Sequence, residues 1–297
     1  MPFRASSKFT RLRIMQRLDD TLELPLLPET ADRVMNLRSA PGVTMADLVD
    51  IVESDPGLAA QVVSWASSSF YAPAGPIRSV QDAISRVLGF DTVMNLAVGL
   101  ALGRPLKNPM AGPDGHRSYW RHANWQAHAV CVLTGMMPRP LRPAFGLTYL
   151  SGLLHNLGDL VLAQLFLPYH QQLSDWQHHN PDANRAEEEL RLMGLTREHI
   201  AARLLENWGM PSEVTLAVRH QQEPDYQGPY QKLIRLVWLS RQLLAARGAL
   251  PGKAEPVPQE IYQELGLNRH QVESQFDRLV HSRGGFMAMT GSLPAAR

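Results

Sequence analysis

Apolar residues recur along this 297-residue chain at spacings of three and four, the period of an amphipathic helix, and the chain therefore reads as all-α. Pro28 suits the first turn of a helix that carries Val34 and Leu37. Thr44 with Asp47 three positions later forms a capping-box pattern ahead of Met45, Leu48, Ile51 and Val52. Asp55-Pro56 places a cap before a proline at the first helical position, and Leu58, Val62, Trp65 and Ala66 follow on one face. Ser79 with Asp82 opens another helix through Ala83, Ile84, Val87 and Leu88, and Gly89 supplies a left-handed C-cap. Asp91 starts the next, through Val93, Leu96, Val98 and Leu100.

Breaks in the pattern suggest two halves. Residues 1–23 read as a basic, variable lead-in, and residues 24–104 as a helical first lobe. The Pro- and Gly-rich run 104–116 is the best boundary. A second lobe spans 116–250, with helices expected near 117–137, 144–165, 184–193, 196–207, 211–221 and 229–247. After a proline-rich break, two short helices fall within 259–282, the second capped by Asn268, and 283–297 reads as a disordered tail.

Composition narrows the setting. Apolar residues make up 44% and charged residues 19%, with a net charge of +1, so no global field draws in nucleic acid. A lone Cys131 among apolar neighbours excludes an internal disulfide, suits a reducing compartment and reads as an inert core thiol. The most apolar stretch, Leu147 to Leu167, carries His155, Asn156, Asp159 and Gln164, which a membrane span would avoid; it reads as a buried helix. The basic N-terminus has no apolar core behind it and is not a signal peptide. A cytoplasmic protein without membrane insertion is the expectation. The helix–Gly89–helix stretch superficially resembles a DNA-reading motif. Its second helix, Thr92 to Val98, has no Arg or Lys, so packed core helices and no DNA binding are expected.

Of the 11 histidines, His122, His155, His199 and His220 lie on four separate predicted helices of the second half. A histidine in an apolar helix needs a hydrogen-bond partner or a metal, and ligands from separate helices converge in helical bundles. For any one histidine a hydrogen-bonded core position is the commoner outcome. Spacing alone decides nothing here.

The order of motifs carries more. Glu53-Ser54-Asp55-Pro56-Gly57-Leu58 precedes Trp65-Ala66-Ser67-Ser68-Ser69-Phe70-Tyr71, after an opening Leu24-Pro25-Leu26-Leu27-Pro28-Glu29. Tyr119-Trp120-Arg121-His122, Ser151-Gly152-Leu153-Leu154-His155-Asn156-Leu157-Gly158, His199 followed by Asn207-Trp208-Gly209-Met210-Pro211, and Arg219-His220 before Pro224 then follow. This series, over roughly 22–250, resembles the HDOD family, the HD-related output domains of bacterial signalling proteins. The resemblance implies a two-lobed helical fold with an HD-like bundle as second lobe. By position His122 matches the first histidine of a catalytic HD site, His155 that of the His-Asp doublet, and His199 and His220 its further histidines. Asn156 stands where the doublet aspartate belongs, and Ser240 where the last aspartate belongs. Both replacements remove a carboxylate that a hard divalent cation would require.

The implied role is therefore a non-catalytic signal-transduction output or adaptor module that binds a signalling protein partner and, lacking an evident sensor domain, acts in trans. One alternative is a metal-dependent phosphohydrolase of a nucleotide or cyclic dinucleotide, with His122, His155, His199 and His220 on a divalent metal; carboxylates clustered around His122 and His155 would favour it. Another is a sensor that holds a nucleotide ligand in the degenerate pocket. Basic residues converging there, with Arg121, Arg203 and Arg219 as candidates, would favour that reading.

Overall fold

The computed structural model of the chain describes residues 3–20, 29–67, 71, 73–103, 112–180 and 183–281, and these form helices and loops with no strand. Helix α1 spans Phe3–Asp19, α2 Glu29–Ser39, α3 Met45–Glu53 and α4 Pro56–Ala66. The start of α3 is fixed as its sequence suggests, with Thr44 and Asp47 bonded reciprocally. Asp55 caps α4 by accepting from Gly57 N at 3.0 Å and Leu58 N at 3.1 Å. Helix α5 spans Val80–Ala83 and runs into a π turn, Ile84–Leu88, that ends at Gly89 with φ +79°. Helix α6 is Phe90–Gly103. Thr92 and the run Val93 to Val98 are buried, so this helix is a core element.

The second half holds α7 (Gly112–Met136), α8 (Phe145–Leu154), α9 (Leu157–Leu165), α10 (Leu167–His179), α11 (Arg185–Met193), α12 (Arg197–Asn207), α13 (Ser212–Arg219) and α14 (Gln231–Ala245). Helices α15 (Gln259–Glu264) and α16 (Arg269–His281) follow, and Asn268 Oδ1 accepts from Gln271 N at 3.1 Å at the start of α16.

Two apolar cores organise these helices. The first runs through both halves of the chain, from Ile14 and Leu18 past Leu58 and Leu96 to Leu150, Leu204 and Val218. The Trp65 ring meets the Tyr149 ring edge-on, 4.7 Å between centroids, and joins α4 to α8. The second core gathers Trp125, Leu133, Trp238, Tyr262 and Phe276 from α7, α14, α15 and α16. Helix α7 is the wall between them: Ala123, Ala127 and Cys131 face the first core, and Trp125, Ala129 and Leu133 the second.

Several expectations change. The lead-in includes a helix, and α1 is tied to α12 by Asn207 Nδ2 donating to Leu18 O at 2.7 Å and by the Arg203–Asp19 ion pair at 2.7 Å. The single helix expected over 144–165 is broken at His155 and Asn156, and the chain turns again at Phe166 into α10, a helix the periodicity did not suggest. The polar composition of α10, which buries only His170 and Leu173, explains the omission. The opening segment 24–28, residues 68–70 of the second motif, most of the 104–116 boundary and the tail 283–297 lie outside the described residues. Among the described residues no single helix is long and apolar enough to cross a membrane.

Candidate functional site

The break between α8 and α9 is the foundation of the site. Helix α8 is buried along most of its length and crosses α7 closely, because Gly152 carries no Cβ; one there would stand 2.6 Å from Ala127 Cα. The crossing brings His155, at the end of α8, and His122, on α7, onto the wall of one cavity of about 790 Å³. Gly158 repeats the device on the other side of the break. A Cβ there would lie 2.1 Å from the Arg197 carbonyl oxygen, so only glycine allows α9 to rest against the start of α12.

His155 Nδ1 lies 2.8 Å from Gly152 O. A carbonyl can only accept, so this nitrogen carries the proton and Nε2 keeps its lone pair. Burial depresses the ring's pKa to about 3, and the nearby Arg241 and His122 act in the same direction. Burial also lowers His122, with Arg121 adding to it. Both rings are neutral at neutral pH, and a group of pKa about 3 is a poor general base there.

Asn156 also lines the cavity. Its Nδ2 lies 3.5 Å from Tyr119 O, and its Oδ1 is buried without a donor. One turn on, Asp159 projects into a network of buried ions. Arg185 donates to Asp159 Oδ1 at 2.7 Å and lies 3.0 Å from Glu189 Oε1. Arg197 meets Glu189 at 2.9 Å, Glu198 at 3.3 Å and Asp159 at 4.0 Å. Burial alone would raise the Asp159 carboxyl; Arg185 and Arg197 more than offset it, and the group stays ionised below the usual carboxylate range. Glu189 is pushed upward, chiefly by its burial. Arg241 of α14, together with Gln221, Gln222 and the segment 250–256, completes the wall. That segment is held to α14 by Glu255 N donating to Gln242 Oε1 at 2.8 Å.

The four histidines do not form one set. His199 pairs with Thr196 Oγ1 at 2.9 Å; His220 pairs with Glu223 Oε2 at 3.0 Å and stacks on Tyr226. Neither lines the cavity, because each is satisfied by a partner three residues away on its own segment. Ser240 is fully buried on the α7–α14 side, its hydroxyl donating to Val237 O at 2.9 Å and accepting from Gln126 Nε2 at 2.8 Å. The basic residues of the cavity are also not those expected. Arg203 is taken by Asp19, Arg219 by Glu206 at 2.6 Å, and Arg121 is exposed, whereas Arg185, Arg197 and Arg241 converge.

An HD-type metal does not fit this donor set. Two imidazoles and a neutral amide oxygen remain, the Asp159 carboxylate is held by two arginines, and among the described residues no three His, Cys, Asp or Glu side chains converge. Sequence reasoning passed over Asp159, Arg185, Glu189, Arg197, Glu198 and Arg241. The spacing of Arg185 to Glu189, four residues, was the one local signal available.

The HDOD domain profile matches residues 24–224. A Marinobacter aquaeolei protein named for signal transduction is 54% identical, with a TM-score of 0.81 over 97% of this chain and 66% of its own. An HDOD domain protein of unknown function from Geobacter sulfurreducens (19% identity, TM-score 0.75, 95% of this chain and 99% of its own) shares the fold. So does a Shewanella amazonensis protein named as a phosphohydrolase (20%, 0.73, 95% and 98%). A Treponema pallidum protein of uncharacterised function is 24% identical over 88% of this chain, which spans 48% of that protein's length.

Proposed function

The chain belongs to the HDOD family, and from that premise we propose that it is a non-hydrolysing signal-transduction module acting through association with a partner protein in the reducing cytoplasm. The observation that carries the reading is the fate of Asp159. The carboxylate best placed beside His155 and Asn156 is held by Arg185 and Arg197, so it is not available to a metal or a water nucleophile. Asn156 and Ser240, at the two positions where the resemblance calls for aspartates, supply no carboxylate.

Association with a partner is supported by α1, which packs on α11 and still leaves Phe9 70% and Leu12 59% exposed. They lie three residues apart on one helix, and apolar anchors of this kind are what partner surfaces use. The phosphohydrolase name of the Shewanella protein comes with 20% identity and speaks for the fold alone.

The test is metal content of protein purified without a histidine tag, beside His155→Ala, with phosphodiester and phosphomonoester hydrolysis assayed in added manganese. The expected result is far less than stoichiometric metal in both proteins and no hydrolysis. Stoichiometric metal that is lost in the variant, together with turnover, would overturn the reading.

A further inference from the structure

Arg241 is left over when the ions of the cavity are paired. Asp159, Glu189 and Glu198 make their ion pairs with Arg185 and Arg197. Arg241 feels Glu198, Asp159 and Glu255 only at longer range, and among the described residues it has neither a hydrogen bond nor an ion pair. Its surroundings disfavour its charge, burial first and then Arg197. A half-buried guanidinium without a counter-ion is a destabilising group to keep, unless an oxyanion comes to it. The planar fork of arginine matches phosphate oxygens two at a time, and Lys253, exposed on the 250–256 segment, brings a second cation to the same cavity.

The rest of the lining indicates the body of the ligand. Beside the ion-paired side chains and Glu255, six amides line it (Asn156, Gln177, Asn184, Gln221, Gln222 and Gln242), and among the described residues it has no Phe, Tyr or Trp on which a base could stack. Its volume of about 790 Å³ is ample for a small metabolite. We propose that the cavity binds a phosphorylated, hydroxyl-rich small molecule of the sugar-phosphate class, with the phosphate on Arg241 and Lys253 and the hydroxyls on the amides. This rests on the non-hydrolysing reading above, since a ligand held there is sensed and not turned over.

The experiment compares inorganic phosphate, ribose 5-phosphate, ribose and malonate at constant ionic strength. It uses the full chain, Arg241→Gln and Arg241→Lys, with calorimetric titration and thermal unfolding, and free phosphate is measured in the same samples. Ribose 5-phosphate is expected to bind more tightly than phosphate, ribose and malonate to bind far more weakly, and the midpoint to rise by roughly 4–8 °C at a hundredfold excess over Kd. Arg241→Gln should weaken binding by about 10- to 100-fold, with Arg241→Lys between. In phosphate-free buffer Arg241→Gln should unfold at the same or a higher temperature than the parent, because it removes an unpaired charge. Absence of binding, malonate binding as well as phosphate, or an Arg241→Gln protein that is destabilised or misfolded would overturn the proposal, the last because it marks a structural arginine. Binding accompanied by phosphate release would leave the site assignment standing and sink the non-hydrolysing reading. Absence of both would do the reverse.

Discussion

Asn156 sits at the start of α9 on the cavity wall, with one side-chain atom buried and unpaired. Ser240 sits in the middle of α14 with no exposed surface, its hydroxyl held between Val237 and Gln126. At both, the resemblance to the HD pattern would call for an aspartate. At the first, the neutral amide faces a polar cavity in which Arg241 has no ion-pair partner among the described residues. At the second, α7 and α14 close over a neutral hydrogen-bonded pair, Gln126 and Ser240, flanked by Trp125 and Trp238 of the second core. The two positions thus differ in what their surroundings permit: one on a cavity wall still meets solvent and a ligand could reach it, and one between two packed helices is part of the core.

The sharpest way to break this comparison is to introduce a carboxylate at each position in turn. Ser240→Asp places a charge at a fully buried position where, among the described residues, the Gln126 amide is the donor in contact and no cation is paired. It is expected to cost about 3–5 kcal/mol in urea unfolding. A loss under 1 kcal/mol would show that water reaches this position and that the two sites are alike.

Next in size is the pH dependence. His155, with a folded pKa of about 3, and His128, at about 4, are both depressed from 6.5 mainly by burial. Each is neutral when folded and takes up a proton when unfolded below pH 6.5, so each contributes stability that is lost as the pH falls from 6.5 towards those values. The slope is up to about 1.4 kcal/mol per pH unit for each ring. Unfolding series at pH 6.5 and 5 should show it, and His155→Gln should remove its share. An unchanged slope in that variant would mean that the Asn156 side of the break is wet enough to leave His155 ordinary.

The smallest effect is expected from Asn156→Asp, within about 1 kcal/mol in the same unfolding measurement, because the side chain is part of the cavity surface. It also returns an anionic donor beside two neutral imidazoles. Weak zinc binding should therefore appear by calorimetric titration, still without hydrolysis while Arg185 and Arg197 hold Asp159. A variant that binds no zinc would show that the His122 and His155 rings do not present their lone pairs to a common point.

Much of the fold was legible because its signals are local. The Thr44–Asp47 box, the Asp55 cap and the Asn268 cap are satisfied within a few residues of chain, so their sequence patterns were sufficient. Helix α10 was missed because its apolar side is narrow, and the break at His155–Asn156 because the apolar run continues straight through it. Identifying His122 and His155 drew on motif order; removing His199 and His220 from their company required knowing that each had found a partner three residues away.

By itself, then, the sequence determined the helical class, most of the caps and the absence of carboxylates at positions 156 and 240, all of which depend on residue type and short spacing. The tertiary structure decided the rest. It set which charges neutralise one another, since Asp159, Arg185 and Arg197 come from three helices, and it left Arg241 without a partner. Electrostatic pairing acts through space over a few ångströms, and the close approach at Gly158 brings α9 against the start of α12, where Arg197 lies within that range of Asp159.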